Sequence, residues 1–355
     1  MPLRDFKANN FRCLRSIGFE ADPRYNLIYG PNASGKTSIL EAVAYLGRGK
    51  SFRGAGPQDL IRHGSAEFVL VGKVDIGTRL VTLGVRNGKD GLEVKIDADR
   101  ETSAAALVGV LPLQVIDPEV HNLVAGGPEE RRRYLDWIAF HVEQGYAERW
   151  RRFRRTLRQR NAALRAGESR ASITAWDREF LETAEEVHQS RCRVVEIAKT
   201  TLEETGSKLL GSTVGFEYRR GWPAEKSLED ALAAGWQRDR LAGTTGAGPQ
   251  RAELRLIYDE RQAKRLVSRG QQKLLACTMI LAASDLVQTA LQRPLLLLLD
   301  DPAAELDNEA LDRLMSAVFA LRSQIIATAL DPKVLRFPGP PAVFHVEHGA
   351  LHKTA

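Results

Sequence analysis

The 355 residues carry 51 Lys and Arg against 45 Asp and Glu, a net charge of +6, with 43% hydrophobic residues. That modest positive balance permits an acidic partner such as nucleic acid without requiring one. The three cysteines, Cys13, Cys192 and Cys277, lie too far apart for a zinc spacing, the longest aliphatic run (295–299) is far short of a membrane span, and residues 1–7 hold no apolar leader core, so a cytoplasmic protein without a membrane partner is expected.

Residues 6–20 alternate around Asn10-Phe11-Arg12 and read as an opening strand and turn. An apolar strand at 26–29 then runs into Gly30-Pro31-Asn32-Ala33-Ser34-Gly35-Lys36-Thr37, and a helical stretch, 38–43, runs out. This is the G-x-x-x-x-G-K-[ST] phosphate loop in its strand–loop–helix setting. Glycines let backbone N–H groups turn inward onto phosphate oxygens, and the helix N-terminus adds partial positive charge there. Lys36 is placed to reach the β- and γ-phosphates, and the Thr37 hydroxyl to complete a Mg²⁺ shell.

A Gly-rich basic loop follows (47–54), then three candidate strands, 68–74, 79–85 and 92–96, joined by good turn sequences and expected to form an antiparallel sheet. A further strand, 111–116, ends at Asp117-Pro118. From about residue 128 to 210 the pattern is helical. Trp150, Phe153, Leu157 and Leu164 fall at coiled-coil spacing, as do Trp176, Phe180, Ala184, Val187 and Val194. With the polar turn 165–170 between them, they predict a short antiparallel helical arm whose seam Arg160 and Arg191 interrupt. Seven arginines between 149 and 160 crowd its first helix, as either a nucleic-acid patch or a charged face paired with nearby Glu.

A strand is expected at 213–218, and the flexible stretch 243–249 is expected to return the chain to its first domain. The last third alternates helix and strand. Within it, Leu295-Leu296-Leu297-Leu298-Leu299-Asp300-Asp301 places two carboxylates at the C-terminal end of a core strand, the edge at which open parallel sheets bind ligands. Asp300 is placed to orient Mg²⁺, and Asp301 to position or deprotonate an attacking water. Ser268-Arg269-Gly270-Gln271, directly before a helix, is a second anion-binding geometry. One fold has no use for two such sites on one triphosphate, so this one is expected to face a nucleotide held by a second subunit. The fold class is therefore α/β, a nucleotide-binding head split in sequence (1–125 and 249–355) by an inserted helical arm domain (126–248).

The order of phosphate loop, Ser-x-Gly-Gln before a helix, aliphatic strand with two acids and Glu305-Leu306-Asp307 resembles the ATP-binding-cassette (ABC) ATPases, and among them the arm-bearing branch of SMC-type repair proteins. With Asn10-Phe11-Arg12, Ser51-Phe52-Arg53, Pro118-Glu119 and the block Gly126-Gly127-Pro128-Glu129-Glu130-Arg131-Arg132-Arg133-Tyr134-Leu135-Asp136, it resembles the RecF family over most of its length. The resemblance implies an ABC-type head (a parallel sheet with an antiparallel β subdomain) and two ATP sandwiched in a head-to-tail homodimer. Lys36, Thr37 and Asp300 would hold ATP–Mg²⁺ in cis, and Ser268, Gly270 and Gln271 would reach the partner's γ-phosphate. It further implies a weak, DNA-stimulated ATPase that clamps single- and double-stranded DNA at gap junctions and works with RecR and RecO to help load RecA. Arg12 and Arg53 are candidate extra phosphate contacts, and Arg131 and Arg132 either anchor the arm or touch DNA.

Some positions depart from the cassette pattern. Asp301 stands where transporter cassettes have Glu, which fits slow turnover, and Ala304 replaces a common Ser. Asp117 or Glu119 stands in for a lobe-joining Gln, and Thr328 for a γ-phosphate-sensing His whose role it leaves open. The rival readings are a transporter-coupled subunit and a nucleotide-gated scaffold without turnover.

Overall fold

The computed structural model describes residues 3–97, 99–101, 103–263 and 267–354. The first two residues of the leader reading lie outside them. The chain divides into two compact units, one formed by 1–120 with 292–355 and the other by 121–291.

The first unit holds two six-stranded sheets. In one, Tyr25–Tyr29, Gln324–Ala329, Leu296–Leu299, Leu113–Ile116 and Ala342–Glu347 run parallel, and Ala350–Thr354 closes one edge antiparallel. Every residue of Leu113–Ile116, Leu296–Leu299 and Gln324–Ala329 is buried, the continuous burial that a parallel sheet covered on both faces requires. The other sheet is antiparallel, in the order Leu14–Glu20, Leu3–Phe11, Phe68–Asp75, Leu80–Gly88, Gly91–Ile96, Asp99–Glu101. Its strands alternate buried and exposed residues, as a sheet with one wet face must.

Both sheets contribute to one core with the helix Lys36–Arg48, in which every residue from Ile39 to Gly47 is buried. Phe11, Tyr45 and Phe68 meet edge-on there, with ring centroids 5.1 to 6.1 Å apart. Gly47 lets this helix lie against the parallel sheet: a Cβ on it would stand 2.4 Å from Leu113 Cδ2.

The second unit is mainly helical. Tyr146–Arg165 packs along the 34-residue helix Asp177–Leu210, and Phe153 and Phe180 pair at 5.8 Å between them. Trp150 and Trp176 are only half-buried, so the seam is narrower than their spacing suggests. The two arginines that break the seam are buried with partners. Arg160 Nε donates to Asp177 Oδ1 at 2.7 Å, and its Nη1 donates to Thr245 Oγ1 at 2.8 Å. Arg191 grips both oxygens of Asp136 at 2.8 and 3.0 Å and donates to the Pro249 carbonyl at 2.7 Å.

The stretch 249–291 belongs to this second unit, in place of the expected return to the head at 249. Glu253–Tyr258 pairs antiparallel with Val214–Arg219, and the helix Arg269–Leu291 packs along Asp177–Leu210 and Pro128–Val142. Arg269–Leu291 is long and apolar enough to cross a membrane, yet 67% of its most apolar window is buried inside the fold, so its side chains already have protein against them. Strand Glu253–Tyr258 and helix Leu228–Ala242 add elements that the sequence reading did not place.

Candidate nucleotide site

The parallel register of the first sheet assembles the site. Tyr29 pairs with Ala329, Leu299 with Ala327 and Leu299 with Ile116, so the residues that follow these strands emerge at one edge. Gly30 N–H donates to the Ala329 carbonyl at 3.4 Å and Asp300 N–H to the Ile116 carbonyl at 2.8 Å. The loop, Thr328, Asp300, Asp301 and Asp117 are neighbours because their strands are.

The loop uses the backbone freedom its composition offers. Gly30 has φ +155° and sits so near Ala342–Glu347 that a Cβ would fall 2.2 Å from the Val346 carbonyl oxygen. Gly35, at φ +115°, precedes the first turn of the helix Lys36–Arg48, where backbone N–H groups are left for an anion. Ser34 Oγ is buried and has no hydrogen-bond partner. Lys36 Nζ donates to the carbonyls of Gly30 and Pro31 at 2.7 and 2.8 Å, so its ammonium lies over the loop. Burial lowers its pKa, and Asp301 and Asp300 oppose that shift.

Thr37 Oγ1 donates to Asp300 Oδ1 at 3.1 Å, which joins the loop to the strand-end acids. Thr328 Oγ1 donates to the same oxygen at 2.8 Å and accepts from Asp301 N–H at 2.9 Å. Burial raises the Asp300 carboxyl above its usual range, against the pull of these hydroxyls. Asp117 is raised to about 6, first by burial and then by the Asp300 charge. Asp301 raises Asp300 and Asp300 raises Asp117, and carboxylates crowded in this way fit a site that a cation completes. Among the described residues no group of three or more His, Cys, Asp or Glu is arranged as a metal cage. The Thr37 hydroxyl and Asp300 carboxylate are instead the sparse oxygen set that suits Mg²⁺, which takes its other ligands from water and phosphate.

Several residues at this edge do structural work that sequence reasoning missed. Glu41 is fully buried on the phosphate-loop helix and accepts both Arg12 Nε and Nη2 at 2.9 Å. The Ser51 hydroxyl also donates to it, and Arg53 Nη1 lies 3.8 Å away. Arg12, a candidate phosphate contact, thus has its guanidinium engaged by Glu41 and by the Asp59 carbonyl at 3.2 Å. Arg53 keeps an exposed head. A charged residue amid Ile39-Leu40-Ala42-Val43 was the available signal for Glu41. Arg48 is half-buried, with its pKa pushed down to about 10 by desolvation, and donates to the Leu113 carbonyl and Gln114 Oε1, both at 3.1 Å, at the far end of the strand that leads to Asp117.

The second anion-binding segment, Ser268-Arg269-Gly270-Gln271, here termed the signature, lies in the second unit. Ser268 N–H donates to Gln271 Oε1 at 2.9 Å and Gln271 N–H to Ser268 Oγ at 3.3 Å. This reciprocal pair is a capping box, so both side chains hold the start of Arg269–Leu291. Ser268, Arg269 and Gln271 are exposed and Gly270 half-buried.

The family-specific block is structural in this unit. Arg131 is buried, donates to both Glu253 oxygens at 2.8 and 3.1 Å and caps the carbonyls of Leu123, Val124 and Gly126, each at 3.1 Å. Arg132 donates to the Ala252 carbonyl at 2.8 Å. Of the arm arginines, Arg149, Arg152, Arg155 and Arg160 have carboxylates within 4 Å, and Arg154 lies over the Trp150 ring, so the charged face is substantially paired.

An anion-binding loop whose lysine and threonine meet two strand-end acids on a parallel sheet, with an antiparallel sheet beside it, is the head of an ABC-type ATPase. Residues 2–347 match the RecF/RecN/SMC N-terminal domain family. The chain is 37% identical to the DNA replication and repair protein RecF of Pseudomonas paraeruginosa PA7, over 100% of this chain and 98% of that one. It is 38% identical to the protein of the same name from Pseudomonas fluorescens SBW25, over 100% and 99%. A solved structure of the recombination mediator protein RecF with ATP in the RecFOR pathway superposes with a TM-score of 0.90 at 22% identity, covering 100% of this chain and 98% of that one. An SMC head bound to the C-terminal winged-helix domain of ScpA superposes at 0.60 with 16% identity, over 100% and 98%. The chain belongs to the RecF family of DNA replication and repair proteins.

Proposed function

We propose that this protein is an ATP-driven DNA clamp of recombinational repair and replication restart, with ATP–Mg²⁺ as the glue of a homodimer. The observation that carries this is the meeting of Lys36, Thr37, Asp300 and Asp301 at one sheet edge. Lys36 and the loop N–H groups hold the β- and γ-phosphates. Thr37 and Asp300 hold Mg²⁺, which supplies charge neutralisation on the phosphates. Asp301 orients the attacking water, and its shorter side chain suits slow turnover. Ser268, Gly270 and Gln271 of a second copy close on the γ-phosphate, through the helix start that the capping box holds in shape. Association is then favoured by ATP and undone by hydrolysis, because the triphosphate charge is fully matched only between two surfaces. Relatives named for DNA repair and for the RecFOR pathway support single- and double-stranded DNA, RecR and RecO as partners in the cytoplasm, with RecA loading downstream. Preference for gap junctions and stimulation of the ATPase by DNA belong to the same proposal.

Sedimentation velocity with ATP and Mg²⁺ is the test. The wild-type chain is expected to shift from monomer to dimer. Ser268→Arg is expected to bind ATP as a monomer yet neither dimerise nor hydrolyse it, while losing about 1 kcal/mol of stability with its helix cap. Loss of monomer ATP binding would place the signature in cis. Asp301→Asn is expected to retain ATP binding and dimerisation while hydrolysis falls ~100-fold or more, the scale of a lost general base. Unchanged hydrolysis would show that the chemistry assigned to Asp301 is wrong, even with ATP binding intact.

A further inference from the structure

Thr328 lies on Gln324–Ala329, fully buried, one residue beyond the Ala327 that pairs with Leu299. Its side chain therefore stands beside Asp300. The direction of its two hydrogen bonds is fixed by chemistry. Asp301 N–H can only donate, so Thr328 Oγ1 accepts it at 2.9 Å; the hydroxyl proton is then left for Asp300 Oδ1 at 2.8 Å. A single hydroxyl thus links the backbone of one acid to the carboxylate of the other.

Each end of this relay answers a local need. Asp301 has φ +45°, in the left-handed region, where a non-glycine residue persists only if its surroundings hold it. The Asp301 N–H bond to Thr328 is such a hold, and it sets the direction in which the Asp301 carboxylate leaves the strand. Asp300 is buried, and the Thr328 hydroxyl is the nearer of the two that donate to its Oδ1, at 2.8 Å against 3.1 Å from Thr37. The Thr37 hydroxyl donates to the same oxygen, so Oδ1 of Asp300 is held from both sides. The β-branched side chain of Thr has few χ1 choices on a strand, so the hydroxyl is pre-set for both bonds.

We propose that Thr328 is a positioning residue for both acids, its hydroxyl orienting Asp300 toward the metal and fixing the backbone that aims Asp301 at the attacking water. This rests on the ATPase reading above. It also gives this position a role unlike that of a γ-phosphate sensor, since both of its bonds run to the acids.

The test titrates Mg²⁺ into protein with a fluorescent ATP analogue and measures ATP turnover in parallel. Thr328→Val keeps the shape and removes the hydroxyl. It is expected to raise the Mg²⁺ half-saturation roughly 10-fold and to lower kcat roughly 10- to 100-fold, with nucleotide affinity without Mg²⁺ unchanged. Thr328→Ala, which adds no bulk, carries the same expectation should the valine variant fold poorly. Thr328→Ser is expected to restore both quantities to within about 3-fold of wild type. The proposal is overturned if the valine and alanine variants match wild type in Mg²⁺ dependence and kcat, or if the serine variant is as impaired as they are, since the methyl group would then be what matters. If wild-type protein binds the analogue without any Mg²⁺ dependence, the ATPase reading falls with it; if wild type depends on Mg²⁺ and the valine variant follows it, only the role of Thr328 falls.

Discussion

Replacing Lys36 with alanine is expected to weaken ATP binding by roughly 30- to 4,000-fold, the equivalent of about 2–5 kcal/mol for removing one partner of a desolvated, hydrogen-bonded charge pair. The ammonium lies on the loop, held by the Gly30 and Pro31 carbonyls, and its pKa is already lowered by burial. Its desolvation has thus been met in the fold, and a phosphate can take the place of a carbonyl as its partner. Alanine leaves the loop N–H groups and the Asp300 and Asp301 charges at one edge, so the triphosphate meets net repulsion. Because dimerisation is linked to the nucleotide, the ATP-dependent dimer is lost with it. Isothermal titration with ATP and sedimentation at saturating nucleotide measure the two effects; an ATP-induced dimer in Lys36→Ala would reject the assignment of Lys36. The thermal midpoint is expected to stay close to wild type, since the carbonyls it leaves lie at a part-exposed surface.

Arg191→Ala is expected to destabilise the second unit by ~3–5 kcal/mol, the usual consequence of removing one member of a buried ion pair. Arg191 is almost wholly buried, and burial works against its charge, but the neighbouring Asp136 holds its pKa above the ordinary value. Asp136 also accepts from the Tyr146 hydroxyl and, at 3.2 Å, from Trp150 Nε1, so one carboxylate gathers donors from two other helices. Without Arg191, the Pro249 carbonyl and both Asp136 oxygens lose a charged donor at once. Arg193 sits two residues on and pairs with Glu143, but its side chain is 54% exposed. Arg193→Ala is therefore the control, expected to cost under about 1 kcal/mol as exposed pairs do. Urea unfolding of the two variants measures the contrast, and equal midpoints would refute the buried-pair account.

The local parts of the site were legible in residue order. The phosphate loop declares itself because its glycines, lysine and threonine act through the backbone of one short turn. The two acids are visible because five leucines in a row suit a strand buried on both faces, and the residues after it must reach the edge. Other local signals were present and passed over: Ser227 caps Leu228–Ala242 by accepting from Asp230 N–H at 3.0 Å, and Glu253–Tyr258 alternates buried and half-buried residues.

What remained hidden depended on partners far along the chain. Arg12 reads as a candidate phosphate contact in sequence, and only the fold brings Glu41, 29 residues on, against its guanidinium. Arg160 and Arg191 look like faults in a seam until Asp177 and Asp136 are seen to neutralise them. Arg131 looks equally suited to DNA and to anchoring until it is found buried on Glu253, across 122 residues.

The sequence by itself determined the chemistry of the loop, the strand that delivers the acids and the family, because each is written in contiguous residues whose spacing follows backbone geometry. Only the tertiary structure decided which charges are spent on one another, that Thr328 links Asp300 to Asp301, and that residues 249–291 belong with the arm. The reason is physical. A charge or hydroxyl acquires its role from whichever group is packed against it once water is excluded, and strand register and helix packing, which run between distant segments, choose that group.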